Sequence, residues 1–492
     1  MTQLSANLQV QSPNRRGGNW IFIAVIAVMA MIIVAGKITL LIAGLAGLLI
    51  AAAIIRWPVV GVIGVIFAGT SLQISGSEYS TGLPLSLSRI FGILTTIAFL
   101  WRLYQGQIRL TYAPAMKPLM WFMGVVLLGV FIQPDHSAAL EGLLKMTQVC
   151  LVYVLIANFA VDRPTVRWLC IAVTATVVLA SLIAIAEHFL PSLQISSDDP
   201  RLAHGTLGAV VDEDSAESGD IARVSGGVGD ANYFAYTVAA AFPLTLYWWR
   251  QARSVRVKFL VLIVALIQGL GLTFSYTRTG FLGLAVATIY LACRRKLPVV
   301  PMILLGIIAA GIGSFYIPPA LIERMTSSRY LEEGSTPFRR DLLIGGWTLF
   351  LEKPILGYGY GQFGPQFVKM RQAGESVEVI EELIDEGFED LRDLRCHNTY
   401  LEVAVEYGII GVIPFFWFLG RLIGDLREAE NAAKRKHRAD QAELAVVLTA
   451  GLIGFYVCAF LAHSKIVNIL WILAGLTASL RRATISSSDL SE

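Results

Sequence analysis

Apolar runs of helical length, separated by polar connections, cover most of this chain. They lie near residues 20–36, 38–55, 57–72, 88–104, 117–133, 146–160, 168–190, 231–249, 257–275, 279–293, 298–316, 399–421, 442–462 and 466–480. A helix crossing a bilayer needs roughly 20 residues, and several of these runs are shorter. With different pairing of the Gly-rich early runs allowed for, the pattern predicts an all-α polytopic membrane protein with about 12–14 transmembrane helices.

The polar connections carry a second pattern. Arg15 and Arg16 are placed in the cytoplasm, and sides alternate from there. The inner connections then hold Arg102, Arg109 and Lys117; Arg163 and Arg167; Arg250, Arg253, Arg256 and Lys258; Arg294, Arg295 and Lys296; the segment 421–438; and Arg481 and Arg482. Basic residues gather on the cytoplasmic side of membrane proteins, so this register accounts for six connections at once. The outer side receives the two long polar stretches. One, 191–230, is acidic through Asp198, Asp199, Asp212, Glu213, Asp214, Glu217 and Asp220; the other is 318–397. The expected organisation is a cytoplasmic tail over 1–19, transmembrane helices over 20–317, a large outer loop over 318–397, helices over 398–480 and a cytoplasmic tail over 481–492. QSPNRRGGNW, ahead of the first run, lacks a small-residue cleavage site, so that run reads as a retained span.

Composition narrows the class. With 55% hydrophobic residues, 15% charged residues and a mean hydropathy of +0.64, a chain of 492 residues is too apolar to be soluble. A net charge of +3 is too small to point to nucleic acid. Of five cysteines, Cys150, Cys170, Cys293 and Cys458 lie in apolar runs, and Cys396 alone lies in a polar region, so no disulfide framework is expected.

Within the large loop, Phe338 to Leu351 carries Leu343, Trp347, Phe350 and Leu351 at helical spacing, which describes an amphipathic helix in the membrane interface. Pro354 ends it, and Gly357, Gly359 and Gly361 read as a flexible turn. No strand precedes this turn, so it is not a nucleotide-binding glycine loop. Residues 374–395 form an acidic, helix-prone run that reads as a solvated face.

Four outer constellations carry candidate chemistry. Arg223 precedes a glycine run and Asn232 at the start of a span, where a guanidinium and helix-terminal amides suit a phosphate. A topological arginine capping a loop is the equal alternative. Arg278, followed by Thr279 and Gly280 in a tight outer turn, runs against the positive-inside bias and calls for a partner or a bound anion. Arg339 and Arg340 head the interfacial helix, where snorkelling to lipid phosphates explains them equally well. His397 stands where the loop re-enters an apolar helix; with Asn398 as cap, the helix dipole favours the neutral base form. Glu402 and Glu406, four apart on one face below it, need pairing, and an arginine is the expected partner of Glu406. Cys396 beside His397 makes a poor nucleophile pair because adjacent residues diverge. The Asp212-Glu213-Asp214 triplet sits in a generally acidic loop, and no metal is assigned to it.

Together, Gly226-x-x-x-Asp230-x-Asn232, Ser275-x-Thr277-Arg278-Thr279-Gly280, Pro354-Ile-Leu-Gly357-x-Gly359-x-Gly361 and His397-Asn398-x-x-Leu401-Glu402 with Glu406, Gly408 and Gly411 resemble the O-antigen ligase and polymerase superfamily. The resemblance runs from about Leu169 to about Phe460. It implies a GT-C-like fold in the bacterial inner membrane, without a cofactor, moving a glycan from a polyprenyl-diphosphate carrier at the periplasmic face. The implied acceptors are a lipid A-core sugar, another carrier-linked repeat or, in related oligosaccharyltransferases, a protein hydroxyl. Where the family usually has Ser-Arg-Thr, this chain has Thr277 before Arg278. On this basis Arg278 and Arg223, with Arg339 or Arg340, are expected to hold the diphosphate, and His397 to deprotonate the acceptor. The alternative class is a transporter or flippase of lipid-linked saccharides, whose mark would be paired broken helices in two repeated halves. No such repeat is visible in the sequence.

Overall fold

The computed structural model describes residues 38–70, 87–108, 110–190, 224–295, 335–374, 394–463 and 465–485. These residues form helices and no strand: α1 (Ile38–Arg56), α2 (Pro58–Thr70), α3 (Leu87–Tyr104), α4 (Met116–Ile132), α5 (His136–Phe159), α6 (Arg163–Phe189), α7 (Ala231–Gln251), α8 (Val255–Phe274), α9 (Arg278–Arg295), α10 (Ser335–Glu352), α11 (Phe363–Gly374), α12 (Thr399–Arg435), α13 (Ala439–Phe460) and α14 (Asn468–Thr484). The all-α polytopic expectation is met: α3, α5, α6, α8, α12 and α13 are long and apolar enough to cross a membrane, and α2 and α4 are shorter apolar helices. The expected spans at 20–36 and 298–316, most of the acidic loop, and 375–393 lie outside the described residues. α1 belongs to a separate unit, Met1–Trp57, with Leu48, Leu49 and Ile55 exposed. The remaining helices belong to the second unit, Pro58–Glu492.

The core of the second unit is built on small residues. α7, α13 and α14 bury most of their length, although α7 carries Thr237, Thr245 and Pro243 inside it. Hydrocarbon gives little hydrophobic drive for helices to associate, so close backbone approach must supply it. A methyl group at Gly451 would overlap the Ala240 carbonyl, and one at Gly454 would stand 3.0 Å from the Gly283 carbonyl. α7, α9 and α13 therefore meet backbone to backbone. Large apolar side chains lie outside instead, among them Trp121, Phe131, Trp168, Phe259, Ile413 and Trp417, as expected of a lipid-facing surface.

The two ends of this bundle differ. One is closed by ion pairs: Arg163 with Asp440, Arg250 with Glu443, Arg294 with Glu430 at 2.8 Å, and both Arg421 and Arg481 with Glu428 at 2.6 and 2.7 Å. The Thr111 amide donates to Asn158 Oδ1 at 2.8 Å and brings the 105–115 connection to this end. The connections expected on the inner side are thus gathered together. The unbroken part of α12 after Gly408, through Arg435, rises about 40 Å and so runs past the roughly 30 Å of bilayer hydrocarbon. Its charged last turns supply this closed end.

The other end is organised by a break in α12. Gly408 has φ 58 and ψ −165, which removes it from the helix and frees the neighbouring peptide groups. Residues 354–361 satisfy them: the Tyr358 and Gly359 amides donate to Val405 and Glu406 carbonyls, each at 2.8 Å, and the Ile409 amide donates to the Pro354 carbonyl at 2.8 Å. The glycines expected to form a flexible turn are therefore a fixed strip, and their positive φ values, with Gly357 pressed on the Glu406 backbone, exclude side chains.

α10 also departs from expectation. It turns Leu342, Gly345, Gly346 and Leu349 inward; Leu342 and Leu349 join Phe363, Phe367, Cys396 and Val405 in a second core. Leu343, Ile344, Trp347 and Leu351 stay exposed. The helix is apolar on two faces, which its spacing alone had merged into one. Cys396 is buried here, 2.9 Å from where a methyl on Gly346 would sit, so its thiol acts as packing.

Gly408→Ala is expected to destabilise the protein by at least about 1–3 kcal/mol for the left-handed backbone alone, with a further loss from overlap with the Ile355 carbonyl. Gly361→Ala shares the positive φ but meets nothing within 4 Å. Thermal unfolding in detergent should rank Gly408→Ala clearly below Gly361→Ala; equal midpoints would show that the strip contact is immaterial.

Candidate active site

His397 adopts φ 53, a left-handed turn that brings the loop onto the start of α12. Asn398 caps that helix as expected, its Oδ1 accepting the Tyr400 and Leu401 amides at 3.0 Å each. The Thr399 hydroxyl donates to the Ala462 carbonyl at 2.6 Å and ties the helix start to the α13–α14 connection. That connection supplies His463 and Lys465. The His397 and His463 rings lie 5.9 Å apart, edge to face, and Tyr233 of α7 packs edge-on against His463 at 5.4 Å.

Beneath the histidines lies a buried charge cluster. Lys465 Nζ reaches Glu402 Oε1 at 2.7 Å and Glu406 Oε2 at 2.5 Å, and Arg395 approaches Glu402 Oε1 at 3.5 Å. Glu406 Oε1 accepts the Gly361 amide at 2.9 Å, which joins the glycine strip to the cluster. The expected arginine partner of Glu406 is thus a lysine, and the arginine serves Glu402. Burial favours neutral Lys465, but Glu402 and Glu406 outweigh it and hold the ammonium above its ordinary pKa.

His397 is half-buried, with its Nε2 fully buried and without a partner among the described residues. Burial first, then His463 and the Arg339 charge, hold its pKa down to about 3. The neutral form expected from the helix dipole is therefore produced chiefly by desolvation, with the Arg339 charge adding to it. Arg339 lies on the His397 side of α10, and its Nε is also buried without a partner among the described residues. Arg340 is exposed on the same helix.

Arg278 is exposed at the start of α9. Thr277 donates to the Ala231 carbonyl at 3.4 Å, Cys458 Sγ donates to the Thr279 carbonyl at 3.5 Å, and Gly280 packs on Ala235. The starts of α7 and α9 and the end of α13 therefore meet, which places Arg278 at the same end of the bundle as His397. Arg223 lies outside the described residues. The helix end behind it does not offer the donors expected for a phosphate. Glu187 accepts the Ser225 and Gly226 amides at 3.0 and 2.9 Å, and Asp230 accepts those of Asn232 and Tyr233 at 2.7 and 2.9 Å. The protein's own carboxylates occupy it.

Sequence reading missed His463, Lys465, Arg395 and Tyr233. A signal for Lys465 existed, since a cation on the outer side breaks the positive-inside bias as Arg278 does. Its connection left only three residues between the expected spans.

Residues 263–416 match the O-antigen ligase family, so the motif resemblance holds over this segment. The matched segment contains Arg278, α10, the glycine strip, His397, Glu402, Glu406 and the break at Gly408; His463 and Lys465 fall beyond it. No curated protein matches the chain. The protein is a multi-pass membrane protein with a segment similar to the O-antigen ligase family, which supports a ligase- or polymerase-type role in surface glycan assembly.

Lys465→Met leaves two buried carboxylates without their shared cation and should destabilise by about 3–5 kcal/mol, read as a fall in thermal midpoint; an unchanged midpoint would sink the bridging role. His397 has its pKa lowered on folding, so the unfolded chain takes up a proton that the native state refuses. Its stabilising contribution is complete above about pH 6.5 and lost progressively towards pH 3. The wild type should lose stability as the pH falls from about 6.5 towards about 3, and His397→Gln should flatten that slope.

Proposed function

We propose that the protein is an inverting glycosyltransferase of the bacterial inner membrane, with its active face periplasmic. It takes a glycan from a polyprenyl-diphosphate carrier and joins it to an acceptor hydroxyl. The observation that carries this reading is the pairing of a neutral imidazole, whose buried Nε2 has no partner among the described residues, with the Arg339 cation beside it. One is a base without a proton to accept, and the other is a donor suited to an anion.

In this mechanism the acceptor oxygen attacks the anomeric carbon as its proton passes to His397 Nε2. The bond from that carbon to the diphosphate oxygen breaks, and the diphosphate leaves with the electron pair. Arg339 and Arg278, with Arg340 as a further cation, stabilise the growing charge. A diphosphate is a good leaving group, so positioning and electrostatics supply the acceleration without a covalent intermediate or a metal. Lys465, Arg395, Glu402 and Glu406 hold the histidine-bearing turn in place. The break in α12 is the one feature that favours a transporter. Among the described residues it is a single break, filled by the glycine strip, and the adjoining carboxylates are already ion-paired.

The test is the lipid-linked and surface glycan profile of a deletion strain complemented at matched expression. Arg278→Ala and His397→Ala should each fail to restore it, with transfer reduced by about 10²–10³ if the arginine acts as an oxyanion donor does. Accumulated long carrier-linked chains would mark a ligase, and single repeats a polymerase. Arg278→Lys should also fail if the guanidinium fork matters. Full restoration by both alanine variants would remove the catalytic assignment.

A further inference from the structure

Three buried polar atoms around the histidine pair have no hydrogen-bond partner among the described residues: His397 Nε2, His463 Nδ1 and Glu402 Oε2. They come from the loop before α12, the α13–α14 connection and the first turn of α12. The two rings are 5.9 Å apart, and the Glu402 charge acts on both. Each group is held from its far side. Tyr233 packs on His463, Asn398 fixes the turn that bears His397, and Lys465 and Arg395 hold Glu402 by its other oxygen. An unsatisfied buried polar atom costs about 1–3 kcal/mol, and folded proteins keep few of them, so three in one cluster mark a recognition set.

Their chemistry selects the guest. A neutral imidazole offers one donor and one acceptor, and a carboxylate only accepts. Glu402 disfavours a phosphate on this side, whereas Arg339 attracts one beside His397. A sugar with neighbouring hydroxyls fits, because every hydroxyl both donates and accepts. A lone serine or threonine hydroxyl has one proton to give, so it can answer His397 or Glu402 but not both, even where it also accepts from His463. We propose that His463 Nδ1 and Glu402 Oε2, beside His397, form the acceptor subsite, and that it binds a sugar through at least two neighbouring hydroxyls. One hydroxyl reacts at His397, and its neighbour is held by His463 and Glu402. This inference rests on the transferase reading and narrows its acceptor from any hydroxyl to a glycan.

The test separates binding of the acceptor from chemistry on the donor. Purified protein in proteoliposomes is given carrier-linked glycan isolated from the deletion strain as donor and the glycolipid fraction of that strain as acceptor. Polyprenyl diphosphate release is measured with acceptor and, as hydrolysis, without it. His463→Phe keeps a ring against Tyr233 but cannot hydrogen-bond. It should raise the half-saturating amount of acceptor at least tenfold and leave that of the donor unchanged. His463→Gln, which retains a donor and an acceptor, should recover part of the loss and serves in its place if the phenylalanine variant does not fold. An acceptor requirement equal to wild type in both variants overturns the subsite, as does an equal rise in the donor requirement. If the wild type itself releases no polyprenyl diphosphate, the transferase reading has failed, and the subsite with it.

Discussion

One buried ammonium holds the candidate site together. Lys465 bridges Glu402 and Glu406, and through them it joins the α13–α14 connection, the first turns of α12 and the glycine strip. Removing two carboxylates and an ammonium from water is unfavourable unless each is fully answered. Arg395, the Gly361 amide and the Tyr360 ring 5.0 Å from the ammonium supply most of that answer and leave Glu402 Oε2 open among the described residues. Such a cluster tolerates few geometries. Its contribution is to specify where His397 and His463 stand, more than to stabilise the fold.

The break at Gly408 and the strip that fills it are two halves of one device. A helix that entered the membrane unbroken from Thr399 would keep its carbonyls for itself. By leaving helical geometry at one glycine, α12 exposes peptide groups that residues 354–361 can bind. The large polar stretch is thereby anchored to the transmembrane core by its own backbone, and α10, with Arg339, is carried to the histidine.

The helices were largely legible in the sequence because lipid enforces long apolar runs. The expected 117–133 and 257–275 correspond to α4 at Met116–Ile132 and α8 at Val255–Phe274. Hydropathy failed where a helix leaves the membrane: α12 continues to Arg435 rather than 421, and α5 starts at His136, where Asp135 caps it, rather than at 146. At the site, His397, Asn398 and the two glutamates were visible through position and spacing. Their partners were not, because Lys465 lies 63 residues from Glu402 and backbone pairing at the strip leaves no side-chain pattern. The donors assigned to the start of α7 were misjudged for a related reason. Glu187 reaches them from a different helix.

The glycine and alanine seam among α7, α9 and α13 bears on alignment as well as association. At one end of the bundle those three helices present Tyr233, Arg278 and, just past α13, His463, and where they touch there are few side chains to rotate and absorb an error. A slip of one residue along the seam would shift a helix end by about 1.5 Å, enough to spoil a hydrogen bond. The tolerance of the chemistry is thus machined into the membrane interior, a few helical turns away from the atoms that use it.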